Sequence, residues 1–405
     1  MAESPHAHHW DLDPDVVFLN HGSFGATPRV VLEEQQRLRQ EMESEPVAFL
    51  WREGEERLDA ARAPLAELLN AEPEGLVFVH NATIGINTAL AAIDLAAGDE
   101  VLFLDPEYNA TANAIRHACE RAGARASVVS IPFPIADPEV VVERVLGALT
   151  PATRFLVIDH IVSQTALIFP IEKLIGQLRE RGVETIVDGA HGPGQLPLDL
   201  EALGAAYYTG NCHKWLCTPK GAAFLYIRED FRERTRPLVI SHGANSPRTD
   251  RSRLLIEQDW IGTLDPTAWL CIPKAIEFLS SIHPGGLAEL RRRNRELALR
   301  ARTILCEALE IDVPAPASMV GSMASVPLPR GTGELTPPLY IDPLQDALWH
   351  CDRIEVPIQA WPAWPERVLR VSAQAYNHED QYFLLGERLR ERLGDSSGAW
   401  RNESG

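Results

Sequence analysis

The sequence predicts an α/β protein: a large domain with a seven-stranded, mostly parallel sheet covered by helices, and a smaller α+β C-terminal domain. Three observations predict it. Seven short apolar runs alternate with helical stretches across residues 76–227, the pattern of parallel strands buried on both faces. Polar residues stand at the carboxyl ends of several runs, where such sheets bind ligands. Past residue 313 the pattern changes to shorter strand-like and helical pieces joined by proline-rich connections. With 405 residues, 45% of them hydrophobic, the chain is long enough to bury a large core.

In chain order, the first ten residues are polar and carry His6, His8 and His9. These could bind a metal weakly but read better as part of a disordered terminus. Residues 16–19 form a short apolar strand leading into Asn20-His21-Gly22-Ser23-Phe24-Gly25, a segment small enough to turn or to approach a ligand closely. Residues 29–69 show amphipathic helical periodicity, broken at Glu45-Pro46. The seven runs follow, at 76–79, 100–104, 126–131, 154–158, 184–187, 205–208 and 222–227. A helix is expected at 266–278 and a long one at 287–310, whose Arg291-Arg292-Arg293-Asn294-Arg295 run reads as a solvated face. Proline-rich connections stand at 314–316, 327–329 and 337–338, and a helix at 379–393 ends the small domain.

The formal net charge of −19 argues against nucleic acid and anionic membranes as partners, because both need a basic footprint. An anionic ligand must therefore be held by a local positive site. No apolar run approaches the roughly 20 residues of a membrane span, and residues 1–10 lack the basic and apolar regions of a signal peptide. A cytoplasmic protein is expected. The six cysteines lack paired spacing, so neither a metal site nor a disulfide framework is indicated.

Lys214 lies in Asn211-Cys212-His213-Lys214-Trp215, just past an apolar run. A lysine in partly apolar surroundings loses charge and becomes a nucleophile and base, although most lysines are surface residues. Asp188 ends the run 184–187, 26 residues earlier (214 − 188). A carboxylate there keeps a pyridinium nitrogen protonated or caps the next helix. Asn81-Ala82-Thr83 follows a strand and opens a helix, so free N–H groups and the Thr83 hydroxyl could hold an anion. An ordinary helix cap looks the same.

Asp188-Gly-Ala-His191, Asn211-Cys-His213-Lys214-Trp215, Gly262-Thr263 and Arg370-Val-Ser-Ala-Gln-Ala-Tyr376-Asn377, in this order, resemble the motifs of fold-type I pyridoxal-phosphate enzymes of the class V aminotransferase superfamily. Leu19-Asn20-His21-Gly22-Ser23-Phe24-Gly25 and the Cys-His-Lys-Trp-Leu stretch are most similar to its isopenicillin N epimerase-like branch. The resemblance spans roughly residues 17–393. It implies pyridoxal 5'-phosphate as cofactor, held as a Schiff base on Lys214, which also moves the Cα proton. It implies Asp188 on the pyridinium nitrogen, His191 beside the ring hydroxyl, and Ser163 and Gln164 close to the ring. Tyr108 would cover one cofactor face, although an aromatic there also suits a core. Thr83, Asn211 and His213 would hold the phosphate, with Asn81 and Ala82 beside them. Thr263 would reach the phosphate of a neighbouring subunit, which implies a homodimer with shared active sites. Arg370 would clamp the substrate carboxylate through two parallel N–H donors, and Asn20, His21 and Ser23 would fold over the mouth of the site. The implied division is an N-terminal segment closing over the active site (1–30), a large cofactor-binding domain (31–265) and a small C-terminal domain (266–405).

The substrate is then an amino acid, and loss of its Cα proton opens elimination, epimerisation, transamination or desulfuration. Residues 354–365 hold no cysteine to accept sulfur, which argues against desulfuration through a persulfide. Trp361 and Trp364 stand there instead, as an aromatic wall near the substrate or as plain packing. Epimerisation by two bases needs a second proton donor, which the sequence does not identify. β-Elimination needs only Lys214 and a leaving group, so the expected activity is a carbon–sulfur lyase of the cysteine desulfhydrase or cysteine-conjugate lyase kind. An epimerase of the isopenicillin N epimerase type and an aminotransferase are the alternatives. A catalytically silent relative is disfavoured because every expected cofactor residue is present.

Overall fold

The computed structural model describes residues 4–335 and 340–394; the connection expected at Pro337-Pro338 lies outside the described residues. Its strands are β1 (Val17–Phe18), β2 (Leu76–Val79), β3 (Glu100–Leu104), β4 (Arg125–Val129), β5 (Thr153–Asp159), β6 (Glu184–Asp188), β7 (Tyr207–Asn211), β8 (Ala223–Ile227), β9 (Met323–Leu328), β10 (Ile354–Glu355), β11 (Ile358–Ala360) and β12 (Arg367–Ser372). Seven of them form one sheet in the order β2-β8-β7-β6-β5-β3-β4. Neighbours from β7 to β4 pair in parallel, whereas β8 runs antiparallel to both β7 and β2.

The strands are buried because their residues are apolar on both faces: β2, β3, β7 and β8 are buried along their whole length. The edge strand β4 carries Arg125 and Ser127 and is mostly open. The seven expected runs are all strands; 76–79 and 100–104 keep their bounds and the other five shift at one or both ends. β7 continues past its apolar part because the backbone of Thr209 and Gly210 stays paired with Leu225 and Phe224. Helix Ala82–Ala92 crosses this sheet so closely that a Cβ on Gly85 would lie 2.1 Å from the Thr209 hydroxyl.

Helices Arg29–Ser44 and Gly54–Leu69 flank the expected break, which holds a π turn at Ala48–Arg52. The helix expected at 266–278 is two helices, Thr267–Leu270 and Ile272–Ser281, the second starting with Pro273 in its first turn. Proline lacks the N–H that would continue the first helix. Ile272 and Leu279 share a core with Leu65 and Leu69.

A second, three-stranded antiparallel sheet, β11-β12-β9, packs under helices Gly286–Leu309 and Glu379–Leu393. β1 joins this part of the molecule through parallel pairing with β10. The basic run in the long helix is solvated on one side only. Arg292 and Arg293 pair with Glu289, but Asn294 is buried and donates to Gln374 Oε1 at 2.9 Å, and Arg295 donates to the carbonyls of Val320 and Ala317. Five consecutive helical residues exceed one 3.6-residue turn, so some must face inward.

The polar start is ordered from Ser4 rather than disordered as expected. Trp10 is 3% exposed, Ala7–His9 form a short helical turn, and the His6 ring meets His283 at 4.7 Å. A large buried aromatic supplies the burial that the neighbouring histidines do not. All six cysteines are free, and no helix of the described residues is long and apolar enough to cross a membrane.

One ion network ties the helix Gly54–Leu69 to the segment after helix Arg253–Gln258. Asp259 accepts from Arg62 at 2.6 Å and Arg251 at 2.5 Å, and the Arg62 and Asp259 side chains are only 2% and 4% exposed. Asp59 also pairs with Arg62, so it retains one partner if Asp259 is lost. Breaking one partner of a buried pair strands a charge. Asp259→Asn is expected to cost roughly 3 kcal/mol in urea unfolding, whereas Asp11→Asn, which breaks an exposed pair with Arg29, should cost less than about 1 kcal/mol. Equal losses for the two would refute this account of the network.

Candidate active site

Lys214 sits in the turn that follows β7. Its Nζ lies 3.2 Å from His191 Nε2, and no carboxylate of the described residues is within ion-pair distance. The side chain keeps some exposure, but the surrounding protein strips enough water to lower its pKa to about 8, with Arg370 adding to the effect and Asp188 and Asp159 opposing it. His191, just past β6, is 2% exposed, and its Nδ1 accepts from the Trp215 indole at 3.3 Å. Burial first, then the charges of Lys214 and Arg370, holds this imidazole well below its ordinary pKa.

Asp188 ends β6 with two donors: the Thr111 hydroxyl at 2.9 Å and the Ala190 N–H at 3.1 Å. Burial raises its pKa and these donors counter the rise. Asp159, opposite Asp188 in the β5–β6 register, and Glu107 join it so closely that one oxygen from each lies within 4.8 Å of the others. Glu107 Oε2 and Asp159 Oδ2 are buried without a hydrogen-bonded partner. Burial and the neighbouring carboxylates push both groups well above their ordinary range. The cluster therefore resists full ionisation, and Asp188, with its donors, is the carboxyl best suited to charge. Sequence reasoning missed Glu107 and Asp159. Asp159 follows the apolar run 154–158 just as Asp188 follows 184–187, which was the available signal, whereas Glu107 reaches them from a loop.

The N-terminus of helix Ala82–Ala92 lies beside β7. Asn211 Oδ1 accepts from Ala82 N–H at 2.9 Å, which leaves its amide free to donate, and Asn81 Oδ1 caps Ile84 N–H at 3.0 Å. The Thr83 hydroxyl makes no hydrogen bond to a described residue. His213 Nδ1 meets the Ala222 carbonyl at 2.8 Å, leaving Nε2 open, and burial lowers its pKa to about 4.

Arg370, on β12, is 1% exposed. Nη1 donates to the Ser163 carbonyl at 2.6 Å, Nη2 donates to Ser23 Oγ at 2.9 Å and Asn20 Oδ1 at 3.2 Å, and Nε is buried without a partner. Burial lowers the guanidinium to about 10, so it stays charged at neutral pH. Asn20 is itself anchored by Glu355 at 2.9 Å. His21 spans the Lys214 carbonyl (3.0 Å) and the Tyr376 hydroxyl (2.8 Å), and burial holds it at about 3. Tyr108 is 47% exposed and faces Arg370, so it is not a core tyrosine.

The structure thus brings Lys214, His191, Asp188 and Arg370 into one electrostatic unit, with Asn20, Ser23 and Ser163 bonded to the Arg370 guanidinium and His21 bonded to the lysine backbone. Thr263 is exposed and bonds to none of them; its neighbour Gly262 lines a cavity of about 560 Å³ with Trp51, Arg57, His242, Trp260 and Trp269. Gln164 accepts from Ser325 through its backbone carbonyl, and its side-chain Oε1 is buried and unpartnered. Trp364 packs over Gly331 and donates to the Gly333 carbonyl, which is plain packing.

The profile of the family described as Aminotransferase class-V matches residues 17–337. The chain is 37% identical to an isopenicillin N epimerase of Amycolatopsis lactamdurans, over 94% of this chain and 96% of the relative. It is 31% identical to putative L-cysteine desulfhydrase 2 of Oryza sativa subsp. japonica, over 96% and 86%. Among solved structures, a C-DES mutant with glycine covalently linked to its PLP cofactor superposes with a TM-score of 0.77 at 21% identity, covering 95% of this chain and 99% of that one. Asp188 and Lys214 stand at and just past the carboxyl ends of β6 and β7, Arg370 acts on Lys214 from β12 of the other sheet, and this chain, which carries them and matches along most of its length, belongs to the class-V aminotransferase family.

Proposed function

We propose that the protein is a carbon–sulfur lyase, which takes the Cα proton from a cysteine-type amino acid and expels the β-thiolate. At the coarser level it is a pyridoxal-phosphate-dependent class-V enzyme. The donor set fits that cofactor. A charge-bearing Asp188 suits a pyridinium nitrogen. The free Thr83 hydroxyl and Asn211 amide beside a helix N-terminus suit a phosphate. His213 would join them by taking a second proton at Nε2, which the phosphate charge favours and burial opposes. Bound there, pyridoxal phosphate supplies an aldehyde for the substrate amine and a ring that accepts the electron pair left at Cα.

Lys214 is the base in this reading. Arg370 holds the α-carboxylate through donors now shared with Ser163, Ser23 and Asn20. Thr263, exposed beside its cavity, would serve the phosphate of a second copy in a homodimer.

One observation carries the choice of elimination. In the protein alone, before any phosphate charge acts on His213, only Lys214 among the lysine and imidazoles of the site changes charge near neutrality, since burial holds His21 near 3, His213 near 4 and His191 well below its ordinary value. A single base completes an elimination, because a thiolate leaves without an acid. An epimerase needs a second proton carrier on the other face. The second reading rests on Tyr108, whose half-exposed phenol has no hydrogen-bond partner among the described residues and could be that carrier.

Lys214→Ala should abolish the visible absorbance of lysine-bound cofactor and lower turnover about 10²- to 10⁴-fold; a variant that keeps both removes Lys214 from the reaction. Arg370→Lys should raise KM for α-carboxylate substrates about 10- to 100-fold, the range for a hydrogen bond between charged groups, with kcat changing less. Incubation with L-cystine or cysteine conjugates should release pyruvate and a thiol or persulfide. Deuterium uptake at Cα with loss of optical purity and no pyruvate, suppressed by Tyr108→Phe, would instead establish the epimerase.

A further inference from the structure

We propose that Trp215 is a positioning residue: its indole N–H fixes the tautomer of His191, and His191 in turn presents Lys214 as a neutral amine. The inference rests on the reading of Lys214 as the cofactor's attachment point. An indole N–H donates and cannot accept. Trp215 is 1% exposed and its Nε1 is 3.3 Å from His191 Nδ1, so that nitrogen must offer its lone pair. A neutral imidazole then carries its single proton on Nε2. Nε2 lies 3.2 Å from Lys214 Nζ and can only donate to it. The acceptor it needs is the nitrogen lone pair, which exists in the amine and not in the ammonium.

The reverse tautomer would aim two N–H groups at each other across the Trp215–His191 contact. It would also let Nε2 accept from an ammonium, which stabilises the charged lysine. Doubly protonated His191 is opposed by its burial and by Lys214, Arg370 and His21 around it. The other charged groups facing Lys214 divide: Arg370 on β12 favours the amine, whereas Asp188 on β6 and Asp159 on β5 favour the ammonium. Trp215, adjacent in sequence to the lysine, acts only through His191. Attachment to the cofactor aldehyde forms one C=N bond, and both amine protons leave with the carbonyl oxygen as water. The amine lone pair that this arrangement preserves would make the first carbon–nitrogen bond, with no oxidant or reductant involved.

The test follows attachment of pyridoxal phosphate to the full chain, freed of cofactor, across a pH series. The readout is the visible absorbance, with borohydride trapping to confirm Lys214 as the linked residue. Trp215→Phe keeps the apolar ring and removes the N–H. It should move the midpoint of attachment upward by about one pH unit and slow attachment at pH 7 about tenfold. In a His191→Gln background the same substitution should add no further shift, a pattern that lost packing alone does not produce. Independently of any variant, nitrogen-15 spectra of the labelled wild type should show His191 protonated at Nε2. A folded Trp215→Phe with an unmoved midpoint, or a wild-type His191 protonated at Nδ1, overturns this proposal alone. Failure of the wild type to link cofactor at Lys214 overturns the cofactor reading and this inference with it.

Discussion

Lys214 stands where an ammonium loses water and gains no carboxylate partner in return. Removing hydration from an unpaired charge is expensive, and a titratable group escapes the cost by giving up its proton. Much of the surrounding structure maintains that condition. The strands deliver Asp188 and Asp159 close enough to act through space but not close enough to pair. Arg370 adds a positive field from the other sheet while its own charge is absorbed by hydroxyl and carbonyl oxygens. His21 meets the lysine at its backbone, leaving the amine to His191.

The acidic side of the site follows similar logic. Three carboxyls converge without a cation in contact, so they cannot all ionise. The donors are distributed unequally: Asp188 receives a hydroxyl and an amide, while Glu107 and Asp159 each keep an oxygen with none. Charge is therefore favoured on Asp188 over its two neighbours, whose pKa values are raised further from the ordinary range by burial and by the neighbouring carboxylates.

Much of this was legible in the sequence because it is local. Runs such as Leu76–Val79 and Ala223–Ile227 are apolar on both faces, which marks a doubly covered sheet before any contact is known. Lys214 and Asp188 were visible because each follows such a run. What stayed hidden depends on partners far along the chain. Asn20 and Ser23 were expected over the mouth of the site, and their bonds to Arg370, about 350 positions away, could not be read from their own segment. The Trp215–His191 bond joins two residues whose motifs were both noted, yet no periodicity states which ring nitrogen a neighbour will meet. The order of residues 4–10 was hidden because burial of Trp10 depends on Phe278 and Tyr376, which meet it only in three dimensions.

Gly25 has φ +68°, and a Cβ there would lie 2.2 Å from the His213 carbonyl. The first segment of the chain is thus laid backbone to backbone on the lysine turn, while His21 fastens that turn to Tyr376 near the other end. In order of synthesis, the central sheet can form once β8 has emerged. The turn that holds Lys214 is fastened by His21 through contacts spanning 193 and 355 positions, and Arg370, which helps lower its pKa, follows much later in the chain. Such closures come late, because their chain entropy is lost before their contacts are gained. The lowered basicity of Lys214 is therefore a product of completed synthesis, and a chain released early would carry the lysine without the surroundings that lower its pKa.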